Sequence, residues 1–286
     1  MIQPLFEHRL SLAGYRTRVL ELEGDGDPLL FFHGYADSAD TWRQVLAGLG
    51  RRGRRAVAVD LPGFGMADRL DPSPILPQLD RFAVAALDYV QDGGANAIPV
   101  GNSLGGCIAL RLAERQGADL GGVVAVAPAG LDMSRLLYLV QRDPLLRSLL
   151  ALPTPVPGPV IRGAVARLYR QLAFAAPGAV DAAVINAFTA HHRDRSTVAG
   201  YLDTARRLIG ELRDPFQLSR IGSRVLVVWG DRDRLVFHRG AQRILDAVPG
   251  ARLELMPDVG HCPQVEAPER FTQILLEFSS ELTPTT

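Results

Sequence analysis

Lysine is absent from this sequence, and cysteine and histidine are scarce. All 31 basic residues are arginines, and they balance 31 acidic residues to a formal net charge of +0. This balance excludes a strongly basic surface for nucleic acid or for anionic membranes. The 286 residues include 2 cysteines, Cys107 and Cys262, which excludes a disulfide framework. Neither cysteine lies in a metal-ligand spacing, so no metal site is expected.

The sequence also lacks an uninterrupted apolar run that could span a bilayer. Its most apolar region, LLALPTPVPGPVI, contains 4 prolines and cannot form a membrane-spanning helix. The N-terminal residues MIQPLFEHRL have no basic stretch followed by an apolar segment, so no signal peptide is predicted. We therefore expect a soluble, cytoplasmic protein.

Short apolar runs rich in β-branched residues recur along the chain. Runs of this kind are typical of strands that are buried on both faces of a parallel sheet. Helical patterns alternate with them, which predicts right-handed βαβ units and an α/β fold with a doubly wound, mostly parallel sheet. Residues 5–22 alternate loosely and predict a further strand pair. The six runs are PLLFFHG, RRAVAVDLPGFG, AIPVGNS, GGVVAVAPAG, SRVLVVWGD and ARLELMPDVGH.

The alternation fails between about residues 131 and 215, where no convincing strand occurs. Four helical patterns broken by proline and glycine occupy this stretch, which is too long for a plain crossover. We therefore predict a helical cap inserted between two core strands. The predicted division is a first core part at 1–130, the cap at 131–215, and a second core part at 216–286.

A glycine-flanked serine lies between a predicted strand and a predicted helix. The segment GNSLGG at 101–106 fits the pattern G-x-S-x-G, with Ser103 at its centre. A nucleophile on a sharp strand-to-helix turn needs minimal neighbours, and Gly101, Gly105 and Gly106 supply that space. The N-terminus of the helix would point N–H groups at developing negative charge. Ser103 is therefore a candidate nucleophile.

A serine nucleophile needs a base, and the base needs an orienting carboxylate. Among the 6 histidines, His261 alone lies late in the chain at the carboxyl end of a predicted strand, where catalytic groups of open α/β sheets gather. The segment VVWGDRDRLV offers Asp231 and Asp233 just after another strand. The remaining histidines are His8, His33, His191, His192 and His238.

Taken together, these motifs resemble the α/β-hydrolase family, in particular capped serine hydrolases such as carboxylesterases and meta-cleavage-product hydrolases. The resemblance covers about residues 25–130 and 215–280. It rests on the segments HGYADSADTW, DLPGFGMAD, GNSLGG, WGDRDRLV and GHCPQVEAPE, which follow the family's order of Ser, Asp and His.

Matching positions imply a role for each residue of a catalytic triad. Ser103 would be the nucleophile, His261 the general base and then the general acid, and Asp233 the orienting acid. Asp231 would be a turn residue. Asp132 is a weaker candidate for the acid, because some members of the family carry it after the strand that here reads VVAVAPAG.

The resemblance also implies an oxyanion hole made of two backbone N–H groups, those of Leu104 and Tyr35. His33 and Gly34 match the family's His-Gly turn, and His33 would hold the Tyr35 N–H in place rather than act in catalysis. Support for the elbow and the loop would come from His33, Gly34, Gly101, Asn102, Gly105 and Gly106. No cofactor is expected, because no phosphate-cradling glycine loop occurs.

These residues predict a serine hydrolase that cleaves a carboxylic ester of a small, mainly apolar acyl or aryl substrate. A carbon–carbon bond hydrolase of the meta-cleavage-product type is an alternative, although HGYADSADTW departs from that group's glycine-rich, proline-containing oxyanion loop. A perhydrolase or haloperoxidase-like activity and a ligand receptor on a hydrolase scaffold are further alternatives. The expected partner is a small molecule, and the oligomeric state does not follow from the sequence.

Overall fold

The computed structural model describes residues 3–91, 94, 96–135, 158–178, 180, 182–189 and 195–282. In this part of the chain, eight strands form one sheet of order β1-β2-β4-β3-β5-β6-β7-β8. The β1–β2 and β2–β4 pairs are antiparallel, and the other pairs are parallel. The strands are β1 (Leu5–Leu12), β2 (Tyr15–Leu22), β3 (Asp25–Phe32), β4 (Arg54–Val59), β5 (Ile98–Asn102), β6 (Val123–Val126), β7 (Val225–Gly230) and β8 (Arg252–Met256).

Helices alternate with these strands and confirm the predicted α/β class. Within the described ranges, no helix has the length and apolar character needed to cross a membrane. The helices are α1 (Arg43–Gly50), α2 (Ile75–Val90), α3 (Leu104–Ala113), α4 (Gly158–Ala173), α5 (Ala182–Thr189), α6 (Arg195–Glu211), α7 (Ala241–Ala247), α8 (Pro263–Glu266) and α9 (Pro268–Leu282).

The central strands are buried on both faces, which explains their continuous apolar runs. Every residue of β5, β6 and β7 is buried. In β3, Leu30 and Phe32 pack into one hydrophobic cluster, whereas Leu29 and Phe31 pack into the cluster on the opposite face. This two-residue alternation follows from strand geometry, and it leaves no face on which a polar side chain would meet water.

Helix α2 begins earlier than its sequence pattern indicates. The pattern predicts a helix from Gln78, after Pro77, whereas the structure starts the helix at Ile75. Pro77 lies in the first turn, where a missing N–H costs no intrahelical hydrogen bond. The N–H groups of Ile75 and Leu76 have no acceptor within the helix, and the Glu211 carboxylate accepts both, at 2.8 Å each, and so replaces the missing cap.

Helices α4, α5 and α6 lie in the chain between β6 and β7, where the sequence predicts the cap. The first helical pattern of that stretch, at 132–152, lies outside the described residues beyond residue 135, and so do His191 and His192. The limits at 131 and 215 stay a prediction. Two of the described helices, α4 and α6, contact the loops that carry the predicted catalytic groups.

Candidate active site

The predicted nucleophile lies at the turn between β5 and α3. Ser103 has φ of 54° and ψ of −111°, a backbone conformation that residues with a Cβ rarely adopt. Its N–H donates to the Val126 carbonyl at 2.9 Å, and the Ala129 N–H donates to its carbonyl at 2.9 Å. Hydrogen bonds from the loop after β6 therefore hold the strained turn in place.

The glycines around the elbow allow two backbone segments to approach each other closely. A Cβ on Gly101 would clash with the Gly105 carbonyl, and a Cβ on Gly105 would clash with the Phe32 carbonyl and come within 2.8 Å of the His33 carbonyl. A side chain at Gly101 would therefore push the start of α3 away from the end of β5, and a side chain at Gly105 would push it away from the end of β3. This accounts for the predicted need for glycine.

His261 and Asp233 form a buried pair. Their exposed fractions are 5% and 6%, and His261 Nδ1 lies 2.7 Å from Asp233 Oδ2. The second oxygen, Oδ1, accepts the N–H groups of Leu235 and Val236 at 2.8 and 3.1 Å, and Trp229 Nε1 donates to Oδ2 at 3.1 Å. Four donors thus fix the carboxylate. With the proton on Nδ1, His261 Nε2 has the free lone pair that a general base needs.

The other two aspartates considered from the sequence have different partners. Asp231 Oδ1 accepts the Asp258 N–H at 2.7 Å, which closes the turn after β8. Asp132 forms an exposed ion pair with Arg239. Of the three aspartates, the structure therefore brings Asp233 to the imidazole of His261.

Asn102 connects the elbow to the loop that carries His261. Its Nδ2 donates to the His261 carbonyl at 2.9 Å, and its Oδ1 accepts from Gln264 Nε2 at 3.3 Å. Asn102 is the residue before Ser103, so this side chain ties the predicted base to the neighbour of the predicted nucleophile.

The loop after β3 packs against the elbow. A Cβ on Gly34 would lie 3.5 Å from the Ser103 Cβ. The ring of His33 is fully buried; its Nδ1–H donates to the Gly34 carbonyl at 2.7 Å, and the Leu61 N–H donates to its Nε2 at 2.9 Å. Both ring nitrogens are thus used in shaping the loop, which supports a structural role. The N–H of Leu104, the first residue of α3, has no acceptor within the helix.

Tyr35 joins this loop to the helical insertion. Its hydroxyl donates to the Tyr201 carbonyl in α6, and its ring packs against Phe64 with centroids 5.3 Å apart. The Phe64 and Tyr201 rings are stacked at 6.1 Å. Three aromatic rings, those of Tyr35, Phe64 and Tyr201, therefore form a cluster at this loop.

A buried carboxyl group lies two residues beyond Tyr35. Asp37 is 6% exposed, and the Ser38 N–H donates to its Oδ1 at 2.8 Å. Burial is the main cause of a pKa for Asp37 that rises from 3.8 to about 7, and the charges of Asp40 and Asp60 act in the same direction. The folded protein therefore holds this proton far more tightly than the unfolded chain does.

Replacing Asp37 with asparagine should stabilise the protein increasingly as pH rises. The pKa of Asp37 is higher in the folded protein than in the unfolded chain. Its protonated form therefore contributes fully to the free energy of unfolding below about pH 4, and this contribution is lost as pH rises through about 7. Asparagine avoids this loss. Between pH 5 and pH 9 the advantage of Asp37→Asn in unfolding free energy should grow by about 3 kcal/mol, measured by urea denaturation.

The control for this prediction is Asp214→Asn, because the side chain of Asp214 is 83% exposed. Its effect on unfolding free energy should be the same at both pH values within about 0.5 kcal/mol. An Asp37→Asn advantage that does not change between pH 5 and pH 9 would contradict the prediction.

The two cysteines are buried and free. Burial raises the pKa of both thiols, which keeps them protonated and poorly nucleophilic. Among the described residues, no group of three or more histidine, cysteine, aspartate or glutamate side chains is arranged to hold a metal ion.

Three side chains at this site were not predicted from the sequence: Trp229, Asp37 and Glu266, whose carboxylate accepts the N–H of Gly260 next to His261. Each lies inside a motif quoted above, in WGDRDRLV, HGYADSADTW and GHCPQVEAPE. Their position within these motifs was the available signal. Their contacts depend on tertiary structure and could not be derived from spacing.

Comparisons with known proteins identify the family and the fold of this chain. A family model described as "Alpha/beta hydrolase family" matches residues 29–274. The 2-hydroxy-6-oxo-6-(2'-aminophenyl)hexa-2,4-dienoic acid hydrolase of Metapseudomonas resinovorans is 28% identical over 285 residues, covering 96% of this chain and 91% of that protein. The dihydrolipoyllysine-residue acetyltransferase component of the acetoin cleaving system of Cupriavidus necator is 27% identical, covering 93% of this chain and 67% of that protein.

Among solved structures, a serine hydrolase involved in carbazole degradation superposes with a TM-score of 0.78 at 25% sequence identity. The superposition covers 97% of this chain and 100% of that one. The two chains therefore share the fold over nearly all of their length.

Proposed function

The chain belongs to the alpha/beta hydrolase family, and on that premise we propose that it is a serine hydrolase that cleaves carboxylic esters through an acyl-enzyme. One observation carries the proposal. Ser103 occupies a strained strand-to-helix turn, and the adjacent Asn102 is hydrogen-bonded to His261, which is paired with Asp233 at 2.7 Å. This combination supports a serine activated by an oriented imidazole.

In the proposed reaction, His261 Nε2 takes the Ser103 hydroxyl proton as Oγ attacks the ester carbonyl. The N–H groups of Leu104 and Tyr35 stabilise the resulting oxyanion. When the tetrahedral intermediate collapses, His261 returns the proton to the departing alkoxide and leaves an acyl-enzyme. A water molecule, deprotonated by His261, then attacks the acyl carbonyl; when the second tetrahedral intermediate collapses, the bond to Ser103 Oγ breaks, His261 returns the proton to Oγ, and the acid is released. Asp233 keeps the Nδ1 proton in place throughout and stabilises the imidazolium.

The proposed substrate is a small ester with a mainly apolar acyl or aryl group. The rings of Tyr35, Phe64 and Tyr201 support this choice, because they form an aromatic cluster at the loop that would hold the oxyanion. Aromatic and apolar walls with a few placed polar groups are typical of small-molecule pockets.

A second candidate is carbon–carbon bond cleavage of a vinylogous diketone. The hydrolase from Metapseudomonas resinovorans favours it, because that relative is 28% identical over 96% of this chain. The same serine, imidazole and oxyanion donors could serve either reaction. The two candidates differ in the leaving group, which is an alkoxide in one case and a carbanion equivalent in the other.

The test is a substrate panel on the purified protein. We would measure turnover of p-nitrophenyl esters of graded acyl length, and of a vinylogous 1,5-diketone in parallel, with labelling by a fluorophosphonate probe. Fast ester cleavage with a chain-length optimum, together with labelling, is the expected result. Fast diketone cleavage with weak ester cleavage would move the assignment to carbon–carbon hydrolysis. Slow reaction with both, without labelling, would contradict the proposed hydrolase.

A further inference from the structure

The loop that carries His261 is fastened to the end of helix α4. The His261 N–H donates to the Ala173 carbonyl at 2.7 Å, so the backbone of the predicted base is bonded directly to the helical insertion. Nearby, Arg234 donates to the Gln171 carbonyl at 3.1 Å. Ala173 and Phe174 are buried at this contact, together with Cys262.

The carboxylate of Glu266 bridges the same two segments. Its Oε1 accepts the Gly260 N–H at 2.8 Å, on the loop just before His261. Its Oε2 accepts the Ala175 N–H at 2.7 Å, just beyond the end of α4. One side chain therefore satisfies an N–H group from each side of the contact.

Gly260 allows this close approach. A Cβ at Gly260 would lie 2.7 Å from both the Ala173 carbonyl and the Ala175 nitrogen, and 2.8 Å from Glu266 Oε1. No residue with a side chain fits there unless the loop moves. Glycine at position 260 thus lets the loop come close enough to the end of α4 for the Glu266 carboxylate to bridge the two segments.

We propose that Glu266 is a positioning residue for His261, because it holds the loop of the base and the end of α4 together as one unit. This inference rests on the proposed function, in which His261 is the base. It also assigns the insertion a role beyond covering the site. Helix α6 is bonded to the oxyanion loop through Tyr35 and Tyr201, so the insertion is attached to the loops on both sides of Ser103.

The chemistry of the bridge requires a carboxylate. Both bonded groups are N–H donors, and a carboxylate is acceptor-only on both oxygens. A glutamine in its place would accept one N–H and turn its own NH₂ toward the other, so one link would be lost. Burial raises the pKa of Glu266, whereas the hydrogen bonds from Ala175 and Gly260 lower it.

The experiment compares wild type, Glu266→Gln and Glu266→Ala. Glu114→Gln is the matched control, because the carboxylate of Glu114 also accepts a backbone N–H, from Gln217 at 2.7 Å, and does not contact the His261 loop, and Glu114 is even more buried than Glu266. For each protein we would measure kcat and KM with the best p-nitrophenyl ester, the rate of fluorophosphonate inactivation, and hydrogen exchange of peptides covering 170–176 and 257–264.

Glu266→Gln should lower kcat by about 10-fold and Glu266→Ala by about 100-fold, with KM within about twofold, because a displaced base loses its alignment with the reacting atoms. Fluorophosphonate inactivation should slow in parallel, since it uses the same base. Hydrogen exchange should rise in both peptides together. Glu114→Gln should lower the melting temperature and leave kcat within about twofold.

An unchanged kcat in both Glu266 variants would overturn the proposal, and so would faster exchange confined to one of the two peptides. A fall in kcat that Glu114→Gln reproduces would mark a general loss of stability and would also overturn it. Failure of the proposed function has a different signature. Wild type itself would then show neither ester turnover nor labelling, while the exchange measurement would still test the link between the two segments.

Discussion

Replacing Ser103 with alanine should lower kcat for ester cleavage by about 10⁵-fold or more and abolish fluorophosphonate labelling. The physical reason is that Oγ is the atom that forms the acyl-enzyme, and the residual rate would come from the oxyanion donors and substrate binding alone. The fold should be retained, because the turn is held by backbone hydrogen bonds to Val126 and Ala129, which alanine preserves. Labelling that persists in Ser103→Ala would show that another residue is the nucleophile.

Ser103→Gly tests the strain at the same position separately. The conformation of Ser103, with φ of 54° and ψ of −111°, costs a residue with a Cβ about 1–3 kcal/mol. Glycine avoids this strain, but it lowers the free energy of unfolding by roughly 0.5–1 kcal/mol because the unfolded chain gains conformational freedom. Both variants should be inactive, and Ser103→Gly should be the more stable by about 1 kcal/mol in urea denaturation. A glycine variant less stable than the alanine variant would contradict the strain argument.

The sheet could be predicted from the sequence because buried strands appear as short runs of apolar residues. Each apolar run that predicts a strand overlaps one. In β5, β6 and β7 the reason is burial on both faces, which needs apolar residues at consecutive positions, whereas β8 is a partly exposed edge strand. The ends of helices are less clearly marked in the sequence. Helix α2 starts before Pro77 because Glu211, far along the chain, accepts its first N–H groups.

The site could be predicted in part from local sequence. The elbow is a local motif, and its glycines can be explained from the turn alone. The choice between Asp231 and Asp233 came from the resemblance to the family, because both follow the same strand within three residues and the spacing in this chain alone does not separate them. The structural distinction depends on which carboxylate meets an imidazole 28 residues away. The role of Glu266 was hidden for a similar reason, since its partner Ala175 is 91 residues distant.

Asp233→Asn should lower kcat by about 10⁴-fold while leaving the protein folded. The N–H donors around the side chain determine in which of two orientations the asparagine amide is held. If its oxygen faces Leu235 and Val236, both N–H groups keep their acceptor, and Trp229 still donates to the Val236 carbonyl at 2.9 Å. The opposite orientation would set the amide NH₂ against two N–H donors. The first orientation is therefore favoured.

In that favoured orientation the asparagine NH₂ points at His261 Nδ1, which can then only accept. The imidazole proton must move to Nε2, and the atom that should deprotonate Ser103 no longer has a lone pair. Trp229→Phe removes a different donor to the same carboxylate but keeps the tautomer, so its kcat should fall by about tenfold or less. Asp231→Asn is the matched control from the same turn and should keep kcat within about twofold. Steady-state kinetics with circular dichroism of all three variants checks this order. Loss of the correct tautomer should affect kcat in Asp233→Asn alone. An equal fall in kcat in all three variants would instead indicate a general loosening of the turn and would contradict the prediction.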